Sequence, residues 1–199
     1  MRKGNPWISI SDLLSSVVLV LLLLFVMASI IPKYNQENQR RLMMTQLDQT
    51  LKEYQDSGQV RVNTDTGILE FTSVTFDSGS AVLTPVTINI IQQLATKLKD
   101  YMDHNAMMEL LIEGHTDPSP VATNRLVDRG GYFQNNIQLS TLRATNVRET
   151  LLKFMGKEYA GRIGAAGYGE TRLKNVENPM SPENRRIELR IVWNGKSEE

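Results

Sequence analysis

The 199-residue chain has no cysteine, which excludes disulfide scaffolds, thiolate metal sites and cysteine nucleophiles together. Histidine occurs twice, at His104 and His115, too few for a histidine-rich metal centre. Neither sign of charge is in excess. There are 22 Lys+Arg against 22 Asp+Glu, divided 7 against 7 up to residue 70 and 15 against 15 after it. That balance argues against a nucleic-acid-binding arm and against a polybasic lipid tether. No internal repeat, phosphate-binding G-x-x-x-x-G-K-[ST] or nucleophile elbow G-x-S-x-G is present. Gly167-Tyr168-Gly169 fails as a dinucleotide fingerprint because its third glycine position is Arg172. His115 and Asp117 stand two apart at a strand end with no third metal ligand nearby in sequence, so His115 reads as a turn hydrogen-bonder. The chain shows no catalytic engine, and neither metal nor cofactor is expected.

What the chain does have is one long uncharged run. Leu13 to Ile31 contains no charge and no proline over 19 residues, roughly 28 Å of helix at 1.5 Å per residue, close to a hydrocarbon core. Trp7 marks the entry and Pro32-Lys33 the exit. The run is too long for the apolar region of a signal peptide, and no A-x-A site follows it. The expectation is an uncleaved single-pass anchor, with a short inside tail over 1–7, a membrane helix over 8–32 and the bulk of the chain translocated. Asp12 is the odd residue, lying inside the apolar segment. Ser9 and Ser16, at i−3 and i+4, share its helix face and form a narrow polar stripe. Two readings stand: a carboxylate snorkelling at the membrane boundary, or an ion-carrying group in a bundle that needs partner helices.

Residues 33–59 read as a helical linker ending near Gly58, with Met43, Leu47, Leu51 and Tyr54 at helical spacing as a dimer contact or a self-packing face. From 60 to 194 strands and helices alternate, leaving 195–199 as a tail. ILEFTSVTF reads as a strand; Thr84-Pro85 opens a helix by cap and N1 proline, with Ile88, Ile91, Leu94, Ala95 and Leu98 on its core face. MELLIEGH is a strand, LSTLRATNVRETLLKFM a second amphipathic helix with Ser140 as N-cap, and RIGAAGYG and RRIELRIVW are further strands. The order β-α-β-α-β-β predicts an α+β fold, a mixed sheet with helices on one face.

Phe76-Asp77-Ser78-Gly79-Ser80-Ala81, Gly114-His115-Thr116-Asp117, Asn136-x-x-Leu139-Ser140-x-x-Arg143-Ala144, Gly167-Tyr168-Gly169-Glu170 and Asn184-Arg185-Arg186-Ile187-Glu188-Leu189 follow one another in order. Together they resemble the OmpA-like peptidoglycan-binding domain. The resemblance implies a fold that grips the peptide stem of peptidoglycan at its diaminopimelate residue. The two main ligand positions fall on Asp117 and Arg143, and Thr116 and Asn136 match positions lining the same pocket. An acid and a forked base in one cleft can hold the ammonium and carboxylate of a zwitterion at once; the alternative is that Asp117 and Arg143 only pair with each other. One departure is the stretch from Pro118 to Gln134, longer than in the simplest members, whose loop could alter access to the pocket.

The segment Trp7-Ile8-Ser9-Ile10-Ser11-Asp12-Leu13-Leu14-Ser15 is similar to the start of MotB-type stator subunits. That resemblance implies an inner-membrane protein with Asp12 relaying the driving ion, H⁺ in preference to Na⁺, and Ser9 and Ser16 lining the path. It also implies two copies of the chain in a ring of five MotA-like subunits and a periplasmic wall-binding domain. The short inside tail and short linker resemble ZorB of the Zorya anti-phage defence system and other non-flagellar motors more than flagellar MotB. A passive inner-membrane tether that carries no ion is the alternative from a different class.

Overall fold

The structure is a computed structural model and describes residues 6–72, 76, 80–121, 126–127 and 131–193. Most of the expected inside tail, and the tail over 195–199, lie outside the described residues. Two compact units divide at Arg40/Arg41.

The first unit is helical. Helix α1 spans Pro6–Thr50 and continues through Pro32, whose missing N–H removes only one rung of the ladder. Its segment from Leu13 to Ile31 exposes large apolar side chains on all sides. This is the one helix, among the described residues, long and apolar enough to cross a membrane. A helix that is apolar all round cannot stay in water, so the pattern calls for lipid or partner helices. Ser16 donates to the Leu13 carbonyl at 2.7 Å and Ser29 to that of Phe25 at 2.8 Å, which satisfies both hydroxyls within the helix. Ser9 lies in α1, and its side chain falls outside what is described.

The second unit begins at Arg41, well before the boundary predicted at residue 60. The end of α1 is followed by α2, Lys52–Asp56, and Gly58 then turns the chain with φ +71°, a left-handed conformation that glycine adopts without strain. Met43, Met44, Leu47 and Leu51 are buried in the same core cluster as the sheet. Tyr101 donates to Gln46, and Gln93 to the Tyr54 hydroxyl at 3.0 Å. The apolar seam of this segment therefore packs on its own domain.

Strands β1 (Val60–Asn63), β2 (Ile68–Phe71), β3 (Met108–His115), β6 (Ile163–Gly169) and β7 (Arg186–Trp193) form one sheet in the order β1-β2-β7-β3-β6. The β3/β6 pair is parallel and the others antiparallel. This is the mixed sheet that the sequence predicts, with one hairpin more. The β1–β2 turn is built by Asn63, whose side-chain oxygen accepts from the amides of Asp65 and Thr66 at 3.1 and 3.0 Å, and by Gly67 at φ +69°. The run ILEFTSVTF, expected as one strand, is a strand only over 68–71; Phe76 makes an isolated bridge to Leu83.

Two helices cover one face. In α3 (Pro85–His104), Thr84 caps the Thr87 amide and Pro85 fills the first turn. Ile90, Ile91, Leu94, Ala95 and Leu98 face the core, while Ile88, expected there, is only half-buried. In α4 (Asn136–Met155) the N-cap is Asn135, which accepts from Gln138 N at 2.9 Å. Ser140 is not the cap. It lies in the second turn, fully buried, donating to Ile137 O and accepting from Gly169 N, both at 2.9 Å. Between β3 and α4 the short strands β4 (Leu126–Val127) and β5 (Gly131–Tyr132) pair antiparallel.

The approach of α4 to the sheet is set by two missing side chains. A Cβ on Gly114 would lie 2.2 Å from the Ser140 carbonyl oxygen, and one on Gly167 2.3 Å from the Thr141 amide. Both neighbours are backbone and cannot rotate away. Gly114→Ala is expected to push α4 off β3 and destabilise the domain by about 1–3 kcal/mol, as overpacking does. A thermal melt checks this; an unchanged Tm would mean that α4 has slack at this contact.

Candidate functional site

Strand β3 ends at His115, and Thr116 and Asp117 follow at the carboxyl end of the parallel pair. The Thr116 amide donates to Gly169 O at 2.9 Å, which extends the β3/β6 pairing by one step. Asp117 is buried. Its Oδ1 accepts from the Ser119 amide at 3.0 Å, and its Oδ2 takes Arg185 Nη1 at 2.5 Å. Burial pushes the Asp117 carboxyl up, but the hydrogen bonds from Arg185 and Ser119 and the Arg185 charge outweigh it. The net effect holds it below the ordinary carboxylate value.

Arg143 projects from the second turn of α4 and is also buried. Its Nε donates to Ser80 O at 2.9 Å, and its guanidinium lies over the Phe76 ring, 4.9 Å from the centroid. Desolvation, then the Arg185 charge, lower its pKa to about 10, against a rise from Asp117. Phe76 and Ser80 thus explain the first motif, as residues that seat Arg143; Asp77, Ser78 and Gly79 lie outside the described residues. Among the described residues Arg143 makes no ion pair with Asp117, although the Asp117 charge acts on its guanidinium.

Asn136, at the start of α4, donates to the carbonyls of Asp117 (3.3 Å) and Ser119 (3.1 Å). Its amide fixes the turn that carries the carboxylate. Thr116 is buried, and its hydroxyl has no hydrogen-bond partner among the described residues. Arg185 carries no assigned role in the sequence, although it stands in the last motif. A partner 68 residues away leaves no local signal. Of the stretch from Pro118 to Gln134, residues 122–125 and 128–130 lie outside the described residues; Phe133, near its end, packs with Ala81 and Leu139.

His115 points to the opposite face of the sheet. It stacks on Tyr168, at 5.6 Å between centroids, and neither ring nitrogen has a hydrogen-bond partner among the described residues. Burial first, and the charge of Arg186 next, lower its pKa to about 4. Its turn-bonding role is not observed. Glu113, two residues before His115 in β3, and Glu188, brought alongside by the β3/β7 register, place ligand atoms with His115 within 4.8 Å of one another. Arg190 pairs with Glu113 at 3.0 Å and Glu188 at 3.2 Å, Arg186 with Glu188 at 2.7 Å, and Arg172 with Glu113 at 3.8 Å. Three guanidiniums already neutralise the two acids, which leaves little attraction for a divalent cation.

A mixed sheet with helices on one face, with a buried acid paired to Arg185 and a buried Arg143 near its strand ends, defines an α+β domain. The chain belongs to the OmpA family, whose sequence model matches residues 75–186. Among solved structures it is similar to a MotB-like protein from Desulfovibrio vulgaris, with 25% identity and a TM-score of 0.58 over 79% of this chain and 96% of that one. It is also similar to the cell wall anchor of the T6SS from Pseudomonas aeruginosa, with 26% identity and a TM-score of 0.55 over 74% and 96%. The periplasmic domain of Helicobacter pylori MotB shares the fold at 18% identity, with a TM-score of 0.50 over 64% and 76%. Among curated proteins none matches the chain.

Proposed function

We propose that this chain is the peptidoglycan-anchored subunit of a proton-driven inner-membrane motor of the MotA/MotB type. Two copies sit within a ring of five MotA-like subunits, the amino terminus is cytoplasmic and the OmpA-like domain periplasmic. Asp12 carries the ion, with Ser9 and Ser16 beside its path. Asp117 and Arg143 hold the ammonium and carboxylate of the diaminopimelate stem, with Thr116 and Asn136 next to them. The role is binding and force transmission, without an enzymatic step. The output is phage defence in the manner of ZorB, or motility, and an activity assay must read both.

The observation that carries the wall-binding part is the buried Arg143, whose guanidinium has only its Nε committed among the described residues. A desolvated cation without an anion is costly unless a ligand completes it, and a guanidinium fork suits a carboxylate. The likeness to a cell wall anchor and to a MotB-like protein points the same way. That first likeness also supports a second reading, a passive tether using the same cleft, in which Asp12 is only a boundary charge.

The test uses full-length protein in detergent, pelleted with purified sacculi. Pelleting is expected for the parent chain and lost in Asp117→Ala and in Arg143→Ala, each checked for an intact thermal melt. Arg143→Lys, which keeps the charge without the fork, is expected to bind weakly. Exchanging the two charges in one double variant should not restore binding, because the ligand's own charges lie between them. Equal pelleting of parent and single variants would return both residues to a structural role.

A further inference from the structure

The acid of the cleft is occupied by its own chain. Arg185 Nη1 holds Asp117 Oδ2 at 2.5 Å while the Ser119 amide holds Oδ1 at 3.0 Å. Arg143, by contrast, has its two terminal nitrogens without hydrogen-bond partners among the described residues. Among the described residues both oxygens of the acid are therefore committed, whereas the guanidinium is committed only through its Nε.

The two members of the ion pair differ in freedom. Asp117 cannot leave. Its side chain is 7% exposed, Ser119 holds it, and Asn136 fixes the turn from α4. Arg185 follows the short 3₁₀ turn Pro182–Asn184 and precedes β7. Its side chain is 38% exposed, and its bond to Asp117 is its single side-chain hydrogen bond among the described residues. Swinging it outward exchanges one charge-assisted bond for water and moves no core residue.

We propose that Arg185 is an internal occupant of the ammonium half of the cleft, which a zwitterionic ligand must displace before its own ammonium reaches Asp117. The proposal rests on the reading of Asp117 and Arg143 as the ligand site. Binding is then an exchange of cations on one carboxylate. The empty site is kept neutral at Asp117, and a ligand that brings a carboxylate but no ammonium gains nothing from the displacement.

The experiment is an NMR titration of full-length protein in detergent with two probes, meso-diaminopimelate and its di-N-acetyl derivative. Removing the competitor with Arg185→Ala should tighten diaminopimelate on the order of fivefold, the equivalent of about 1 kcal/mol for a partly exposed ion pair. Arg185→Gln, uncharged and of similar reach, should move the same way. The acetylated probe should bind more weakly throughout, with no gain from either variant. Weaker or unchanged diaminopimelate binding in both variants overturns the proposal; weaker binding would make Arg185 a direct ligand contact. If the parent chain binds neither probe and Asp117→Ala changes nothing, the fault lies with the assignment of the cleft itself.

Discussion

A fragment that starts at Gln59 is expected to lose the fold, whereas one that starts at Arg41 keeps it. The sequence marks residue 60 as the start of the domain, and a cut chosen on that basis would fall at the Gly58 turn. Yet Met43, Met44, Leu47 and Leu51 are between 0 and 2% exposed and belong to the core that holds β2, α3, β3 and α4. Removing them uncovers apolar surface on the rest of the core. A single buried Leu or Met cut back to Ala costs about 2–5 kcal/mol, against a total stability of about 5–15 kcal/mol for a typical domain. Losing four such side chains approaches or exceeds that total. The shorter fragment should melt broadly or not at all, bind a hydrophobic dye and aggregate. Leu47→Ala in the full chain should show the same effect in reduced form, about 2–5 kcal/mol. Circular dichroism melts of the two fragments decide it. A sharp transition in the shorter one within a few degrees of the longer would mean that the helical segment only rests on the domain.

The seam of that segment shows what sequence carries and what it withholds. The spacing of Met43, Leu47, Leu51 and Tyr54 is enough to say that one face is apolar. It does not say what covers that face, because a partner helix and the chain's own sheet satisfy the same periodicity. Asp117 and Arg143 were singled out because each stands in a short motif that resembles the OmpA-like domain, and both are buried. Arg185 was not, because its role comes from the register that brings β7 beside β3. The same register brings Glu188 to His115 and turns a lone histidine into part of a charged layer. Strand β1 was missed for a different reason: four residues, of which Val60 alone is fully buried, give too little alternation to stand out from a loop.

Asp12→Asn is expected to abolish ion-driven activity completely while leaving the protein otherwise intact. Asp12 lies in the first turns of α1, among exposed Ile10, Leu13 and Leu14, with Ser16 one turn on. A carboxylate at the centre of a membrane span costs about 2.5–3.5 kcal/mol, and less towards an end. Asparagine has nearly the same shape, keeps its hydrogen bonds and carries no charge, so insertion, assembly with the multi-span partner and pelleting with sacculi should be unchanged or slightly improved. What it cannot do is gain and lose a proton, so activity should vanish and not merely decline. Asp12→Glu keeps the titrating group one methylene further out and should rescue in part. A carboxylate that only marks the membrane boundary predicts another pattern, in which Asn, Ser and Glu are all tolerated, since position alone matters there. The measurement is the biological output of the complex, phage protection or motility, together with proton flux in vesicles that hold both subunits. Flux and output lost together in Asp12→Asn, with assembly preserved, place the ion on this carboxylate. Full activity in Asp12→Asn would remove the motor mechanism and leave a tether whose one task is the grip of Asp117 and Arg143 on the wall.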